Sequence, residues 1–155
     1  MPRHHEVRQL PYTAAQMFAL VADVARYPEF LPWTAAARIR SRKPVEGGEV
    51  LEADLVISFK LFREKVGSRV VLLPQENRIL TEYLDGPFKH LKSVWHFRDL
   101  PVSAARGGGV EVVFTVDFEF RNAILAALIG LVFNEAMSRV VRAFEARAAV
   151  LYRQG

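Results

Sequence analysis

The sequence contains no cysteine, and this absence removes several kinds of chemistry at once. Disulfide bonds, thiolate nucleophiles and cysteine-based zinc sites are all excluded. Glycine-rich phosphate loops and the G-x-S-x-G nucleophile elbow are missing as well, and the run Gly107-Gly108-Gly109 comes before a predicted strand. We therefore expect a protein that is not an enzyme.

Long apolar runs are also missing. The first residues, Met1-Pro2-Arg3-His4-His5-Glu6, lack the apolar segment of a secretion signal. The longest uncharged stretch runs only from Asn122 to Asn134, whereas a helix that spans a bilayer needs about 20 residues. We expect a cytoplasmic protein that is at most peripheral to a membrane.

What the sequence does have is apolar bulk and positive charge. Of the 155 residues, 51% are hydrophobic and 11 are Phe. This apolar volume suits either a dense core or a lipid-sized cavity. The net charge of +4 favours contact with phosphate backbones or acidic lipid headgroups, although it also simply aids solubility. No repeat or linker interrupts the chain, so we expect one domain over residues 1–155.

The N-terminal part of the chain combines one strand with short helices. A strand is predicted at Arg3–Leu10. Thr13 and Gln16 have the spacing of a capping box, which predicts the start of a helix. A second helical piece follows; it is interrupted at Tyr27-Pro28, and Pro32 ends it.

A series of strands follows, because apolar residues alternate with polar ones. Short turns such as Asp85-Gly86-Pro87 separate them, and no helical pattern lies between. The pattern predicts an antiparallel meander with one buried face. One strand starts at Arg38, and the others are predicted at Leu51–Phe59, Phe62–Leu72, Arg78–Leu84, Phe88–Leu100 and Val110–Phe120.

A long C-terminal helix is predicted to cover the buried face. Asn122 is its expected N-cap, and it continues to about Arg153. Its second half carries one apolar stripe, whereas its first half is apolar all round. The first half therefore needs a second cover: the loop at residues 27–33, a bound lipid, a membrane surface or another protein chain. The predicted fold is α+β, with a bent antiparallel sheet wrapped around a long C-terminal helix.

The titratable residues offer little chemistry. His4 and His5 are expected to be exposed near the terminus, and His90 and His96 are too far apart along one strand to share a metal ion. No metal site is therefore predicted. Two polar residues are candidate contacts for a ligand head group on the inward face, although a strand-end bulge can turn the first of them outward. These two are Glu64 and Ser68.

Two stretches of the sequence carry a family pattern. They are VADVARYPEFLPW at residues 21–33, and DGPFK at residues 85–89 followed by Leu91, Trp95 and Phe97. Both resemble the coenzyme Q-binding protein family of the START-like, polyketide cyclase and lipid-transport superfamily, whose bacterial members include the ribosome association toxin RatA. The resemblance implies a helix-grip fold with a tunnel between sheet and helix. It also implies ubiquinone or a related isoprenoid lipid as the bound ligand, with no other cofactor required.

The resemblance and the register together predict the ligand-binding residues. The family pattern implies a cavity mouth at Tyr27, Pro28, Phe30, Leu31 and Trp33, and a wall that includes Phe88, Leu91 and Trp95. Strand and helix register add ten further apolar residues to the predicted lining. These are Leu55, Ile57, Phe59, Phe97, Phe114, Val116, Phe118, Phe133, Met137 and Val140.

Three functions are compatible with these observations. The first is non-catalytic binding and delivery of ubiquinone in respiration, by a protein peripheral to the cytoplasmic face of the inner membrane. The second is a RatA-type toxin that binds the large ribosomal subunit and blocks subunit association. The third is a polyketide cyclase-like enzyme, against which the lack of an inward acid–base group counts.

Overall fold

The computed structural model describes residues 3–59, 62–86, 88–101, 109–130 and 133–152, without the side chains of residues 59, 62, 125, 128 and 129. This part of the chain contains seven strands, three α-helices and one 3₁₀ helix, Val24–Glu29. The strands are β1 (Arg3–Leu10), β2 (Thr34–Val45), β3 (Gly48–Phe59), β4 (Phe62–Leu73), β5 (Arg78–Asp85), β6 (Phe88–Leu100) and β7 (Gly109–Phe120). The α-helices are α1 (Ala14–Ala22), α2 (Ala123–Gly130) and α3 (Phe133–Leu151).

The strands form one antiparallel sheet in the order β1-β7-β6-β5-β4-β3-β2. Strands β2 to β7 follow one another as a meander, and β1 adds to the far side of β7. Both β1 and β2 are therefore edge strands. The predicted α+β helix-grip fold is confirmed.

Local capping explains where the helices begin. The Thr13 hydroxyl accepts a hydrogen bond from the Gln16 N–H at 3.0 Å, and the Gln16 side chain accepts one from the Thr13 N–H at 3.0 Å. The side-chain oxygen of Asn122 accepts from the Ile124 N–H at 2.8 Å, so Asn122 caps α2 as predicted. The predicted C-terminal helix is described as α2 and α3, and its predicted end at Arg153 lies outside the described residues.

The core lies between one face of the sheet and the helices α1 and α3. Every second residue of β7 from Val110 to Phe120 is buried, as the alternation predicts. Val141 and Phe144 of α3 and Met17 of α1 are buried against the same face. Full burial of each such large side chain stabilises the fold by about 1.5–3 kcal/mol.

Strand β2 is longer than predicted, since it begins at Thr34 rather than Arg38. Its pairing with β3 starts at Thr34 opposite Ile57 and is interrupted by two register shifts. The strand is exposed over most of its length. Charged side chains and irregular register are features that disfavour pairing of another sheet with such an edge.

A polar cluster joins β1 to α3. His4 is only 8% exposed; its Nδ1 lies 3.1 Å from Asn134 Oδ1, and its Nε2 lies 2.7 Å from Glu6 Oε1. The Ser138 hydroxyl donates to the same Glu6 oxygen at 3.1 Å. The expectation that His4 is exposed is therefore wrong, because α3 covers it. His5, the next residue along the edge strand, is exposed as expected.

Candidate functional site

A cavity of about 230 Å³ lies between the sheet and α3. Fifteen of its sixteen lining residues have apolar or aromatic side chains, and ten of the sixteen are partly exposed to solvent. The cavity is therefore apolar and open to solvent on one side. Its lining consists of Leu31, Pro32, Trp33, Thr34, Leu55, Ile57, Val66, Phe88, Leu91, Val116, Phe118, Phe120, Phe133, Ala136, Met137 and Val140.

The two periodicities of the chain converge on this cavity. Val116, Phe118 and Phe120 alternate along β7, so all three point to the covered face of the sheet. Helix α3 contributes Phe133, Ala136, Met137 and Val140, whose spacing of three and four residues places them on one side of the helix. The segment after the 3₁₀ helix supplies residues 31–34, where Trp33 adopts a positive φ of 63°.

Aromatic rings form one wall of the cavity. The Phe88 and Phe120 rings stack with centroids 4.6 Å apart. Phe118 meets Phe133 of α3 edge to face at 4.5 Å, and it meets Phe120 at 5.1 Å. Such pairs stabilise the fold by about 0.5–1.5 kcal/mol beyond the area they bury. The wall is therefore held in shape by contacts among the protein's own rings.

Polar groups are sparse in the lining. The Thr34 hydroxyl donates to the carbonyl oxygen of Pro32 at 3.4 Å. The carbonyl oxygen of Trp33 accepts a hydrogen bond from the Ser58 N–H at 2.8 Å. None of the sixteen lining residues is Asp, Glu, His, Lys, Arg or Tyr. The lining therefore offers no acid–base side chain to a bound molecule.

The other end of the covered face is filled by the protein itself. The Phe144 ring of α3 lies 5.4 Å from Tyr27, 5.3 Å from Phe30 and 5.1 Å from Trp95, in each case edge to face. The Tyr27 hydroxyl donates to the carbonyl oxygen of Val21 at 2.5 Å, and burial raises the pKa of Tyr27. Tyr27 is therefore a neutral packing residue at this end.

This packing corrects part of the predicted lining. Tyr27, Phe30 and Trp95 are not among the lining residues, because they pack against Phe144, and Phe97 packs against Phe18 of α1 instead. Pro28 and Phe114 are not among the lining residues either. The Phe59 side chain lies outside the described residues. The structure brings eleven predicted residues together at the cavity: Leu31, Trp33, Leu55, Ile57, Phe88, Leu91, Val116, Phe118, Phe133, Met137 and Val140.

Five residues line the cavity that the sequence analysis does not predict. Val66 and Phe120 share the strand parity of predicted neighbours, and Ala136 has the helical spacing of Phe133 and Val140, so their pattern was available. Pro32 lies in the irregular segment before β2, and Thr34 is the first residue of β2, four residues before the predicted start of that strand, so the predicted periodicity did not include them.

The structure also corrects the predicted polar contact at Glu64. The β3–β4 pairing continues without a bulge, with Glu64 opposite the cavity-lining Ile57. Glu64 is nevertheless exposed, and the pairing of β4 with β5 ends at Gly67 opposite Asp85, three residues short of Glu64. Ser68 is buried, but it is not among the lining residues.

A charged network holds the strands behind the cavity. The Arg40 guanidinium binds both oxygens of Asp54 and also contacts Asp85, 3.2 Å from its Oδ2. The hydrogen bond from Arg40 lowers the pKa of Asp54, and the two carboxylates raise the pKa of Arg40. At the start of β6, the Phe88 N–H donates to the Tyr83 hydroxyl at 3.2 Å.

A second hollow of about 270 Å³ lies between α1 and the C-terminal end of α3. Its walls include Asp23, Arg26 and Arg147, and both arginines bind the carboxylate of Glu29, at 3.2 and 2.9 Å. These charges already satisfy one another, so this hollow offers less to a ligand than the apolar cavity does.

No group of three His, Asp or Glu side chains within the described residues is placed to hold a metal ion. None of the described helices combines the length and the hydropathy that a membrane span requires.

A family model for polyketide cyclases, dehydrases and lipid transport proteins matches residues 10–145. The chain belongs to this polyketide cyclase/dehydrase and lipid transport family. The resemblance inferred from the two sequence stretches is thereby confirmed. The matched range contains every residue that lines the cavity and leaves out only most of β1 and the end of α3.

The proteins with similar sequences include a ribosome association toxin and a coenzyme Q-binding protein homolog. The ribosome association toxin RatA of Rickettsia prowazekii is 41% identical over 142 residues, which cover 90% of each chain. The mitochondrial coenzyme Q-binding protein homolog B of Xenopus laevis is 30% identical over 150 residues, 96% of this chain and 59% of that protein. The solution structure of an 18 kDa Caulobacter crescentus protein is 32% identical, with a TM-score of 0.78 and coverage of 99% and 100%.

Proposed function

We propose that this family member binds an isoprenoid quinone, namely ubiquinone, in the apolar cavity and delivers it unchanged, in support of respiratory electron transport. The observation that carries the proposal is the apolar cavity that lies between the sheet and α3 and is open on one side. A polyisoprenoid chain is excluded from water, and an apolar, preformed cavity gives it a favourable alternative. The name of the Xenopus relative supports the same ligand class.

Binding without turnover is consistent with the lining. Each methylene group buried in such a cavity contributes about 0.8 kcal/mol before the loss of ligand freedom is counted. Catalysis needs a positioned acid, base or nucleophile. The sixteen lining residues supply only the Thr34 hydroxyl and the indole N–H of Trp33 as polar side-chain groups, which argues against a cyclase.

The test is a comparison of two variants that add the same side chain to α3. Ala136→Phe places a ring in the cavity, because Ala136 lines it, whereas Ala146→Phe places one on the exposed side. We expect wild type and Ala146→Phe to bind ubiquinone with a two-unit tail in calorimetry, and Ala136→Phe to lose at least about tenfold in affinity. Urea unfolding of all three proteins controls for folding.

Native ligand gives a second readout. Organic extraction of purified protein followed by mass spectrometry should recover a quinone from wild type and little from Ala136→Phe. Protein that is consistently empty and takes up no ubiquinone would count decisively against the proposal.

Delivery requires access to a membrane, and α2 is the element suited to it. Ile124 is 73% exposed, Ala127 is exposed on the same helix, and the exposed Arg121 precedes them. An apolar helix surface beside a cation favours the interface of a bilayer with anionic lipids. We accordingly place the protein at the cytoplasmic face of the inner membrane during ligand exchange.

The second candidate is binding to the large ribosomal subunit. The RatA relative favours it, since the similarity covers 90% of both chains. The edge strand β2 exposes Arg38 and Lys43, which suit a phosphate backbone. Cosedimentation with large subunits should then fall with salt and on combining Arg38→Glu with Lys43→Glu, but persist in Ala136→Phe. Loss of cosedimentation in Ala136→Phe would instead link the two functions.

A further inference from the structure

We infer that the cavity holds a segment of the isoprenoid chain and leaves the quinone ring at its mouth. This inference rests on the proposed function and specifies which part of the ligand is enclosed. It follows from two properties of the cavity, its polar groups and its volume. Each is independent of the other.

The polar groups do not suit a quinone ring. The two carbonyl oxygens of a quinone accept hydrogen bonds from water, and a buried acceptor without a donor weakens binding by about tenfold or more. In the lining, the Thr34 hydroxyl already donates to the Pro32 carbonyl oxygen. Trp33 carries the other side-chain donor, and this residue is partly exposed to solvent. An isoprenoid chain has no hydrogen-bond acceptor, so its burial requires no donor in the lining.

The volume points the same way. An apolar cavity of about 150 Å³ accommodates one benzene molecule. The cavity here, about 230 Å³, thus has room for about nine or ten carbon atoms, which corresponds to two isoprene units. The ubiquinone ring with its methyl and methoxy groups has about thirteen non-hydrogen atoms, more than this space accepts. Chain beyond the enclosed segment extends through the open side.

The experiment is a calorimetric series with the wild-type protein. The probes are prenol, geraniol and farnesol, which carry one, two and three isoprene units, together with the tailless ubiquinone ring and ubiquinone with two units. We expect geraniol to bind about tenfold or more tightly than prenol and than the tailless ring. Farnesol and two-unit ubiquinone should fall within about fivefold of geraniol, because the cavity is then full.

The outcomes separate this inference from the proposed function. If the tailless ring binds as tightly as two-unit ubiquinone, the ring occupies the cavity and the inference is overturned, while quinone binding stands. The same holds if affinity keeps rising about tenfold from geraniol to farnesol, since the enclosed segment is then longer. If none of the five compounds binds, quinone binding itself fails.

A variant adds a check on the ring. Ser68→Ala removes a buried hydroxyl close to the lining but outside it. We expect it to leave the affinities for geraniol and two-unit ubiquinone within about twofold of wild type. A loss of about tenfold for two-unit ubiquinone alone would place the ring inside the protein and contradict the inference.

Discussion

Arg40 and Asp85 form an ion pair directly over Gly67. Arg40 Nη2 lies 3.2 Å from Asp85 Oδ2. A Cβ atom at position 67 would lie 2.6 Å from Asp85 Oδ1 and 2.8 Å from Arg40 Nη2, so any side chain there displaces the pair. Asp85 ends β5, and Phe88 of the cavity wall opens β6. The ion pair therefore holds the end of β5, three residues before Phe88.

Removal of Arg40 should reduce the free energy of ligand binding by more than it reduces the free energy of unfolding. We expect Arg40→Ala to lower the affinity for two-unit ubiquinone by about threefold or more, because Phe88 is then less well held. Arg42→Ala is the matched control, since it breaks a pair with Glu49 on the same two strands, 3.1 Å apart, away from the cavity. Calorimetry and urea unfolding of both variants check this; equal affinities would contradict it.

A methyl group at position 67 should reproduce the effect of removing Arg40. Gly67→Ala displaces the ion pair sterically, so its loss of ligand affinity should match that of Arg40→Ala. The double variant should lose no more than either single one, because both act on the same contact. Additive losses in the calorimetric double-mutant cycle would show that the two residues act separately.

The pairing with Arg40 also predicts a pH dependence of stability. The hydrogen bond from Arg40 lowers the pKa of Asp54 below its value of about 3.9 in an unfolded chain. A carboxyl group with a lowered pKa stabilises the fold above the unfolded pKa, and this contribution is lost as the pH falls through the folded pKa. The difference in unfolding free energy between wild type and Asp54→Asn should therefore shrink below about pH 4. Urea titrations from pH 7 to pH 3 measure it, and a constant difference would sink the prediction.

Phe144 is predicted to be a main packing residue of the filled end. Its ring contacts Tyr27, Phe30 and Trp95, and it is buried. Phe144→Ala should destabilise the protein by about 3–5 kcal/mol in urea unfolding, owing to lost contacts and the void left behind. Leu151→Ala, on the same helix but 48% exposed, should cost less than about 1 kcal/mol. Similar losses of stability in the two variants would show that the contacts of Phe144 contribute no more than those of an exposed side chain.

The exposed surface of α2 is predicted to contact membranes. Ile124→Ser should reduce binding to vesicles that contain anionic lipid by about tenfold, because burial of an isoleucine side chain contributes about 1.5–3 kcal/mol. Val150→Ser is the control, as Val150 is similarly exposed near the end of α3. Vesicle flotation measures both, and wild-type binding by Ile124→Ser would remove α2 from the interface.

Strand and helix periodicity correctly predicted which face of each element is covered. The alternation along β7 placed Val116 and Phe118 on the covered face, and helical spacing placed Met137 and Val140 opposite them. Both patterns depend only on local backbone geometry, which repeats every two residues in a strand and about every 3.6 in a helix. They predict which face a residue occupies, but not how far along that face the cavity extends.

The sequence by itself determined the antiparallel meander, the capped helices and the apolar character of the face between them, because local geometry and hydrophobic patterning are sufficient for these features. Only the tertiary structure decided which aromatic residues enclose space and which fill it. Phe144 meets Tyr27 and Trp95 across more than forty positions of the chain, and α3 buries His4 from the opposite terminus. Such contacts depend on how helices and sheet dock, and packing of that kind leaves no periodic trace in the sequence.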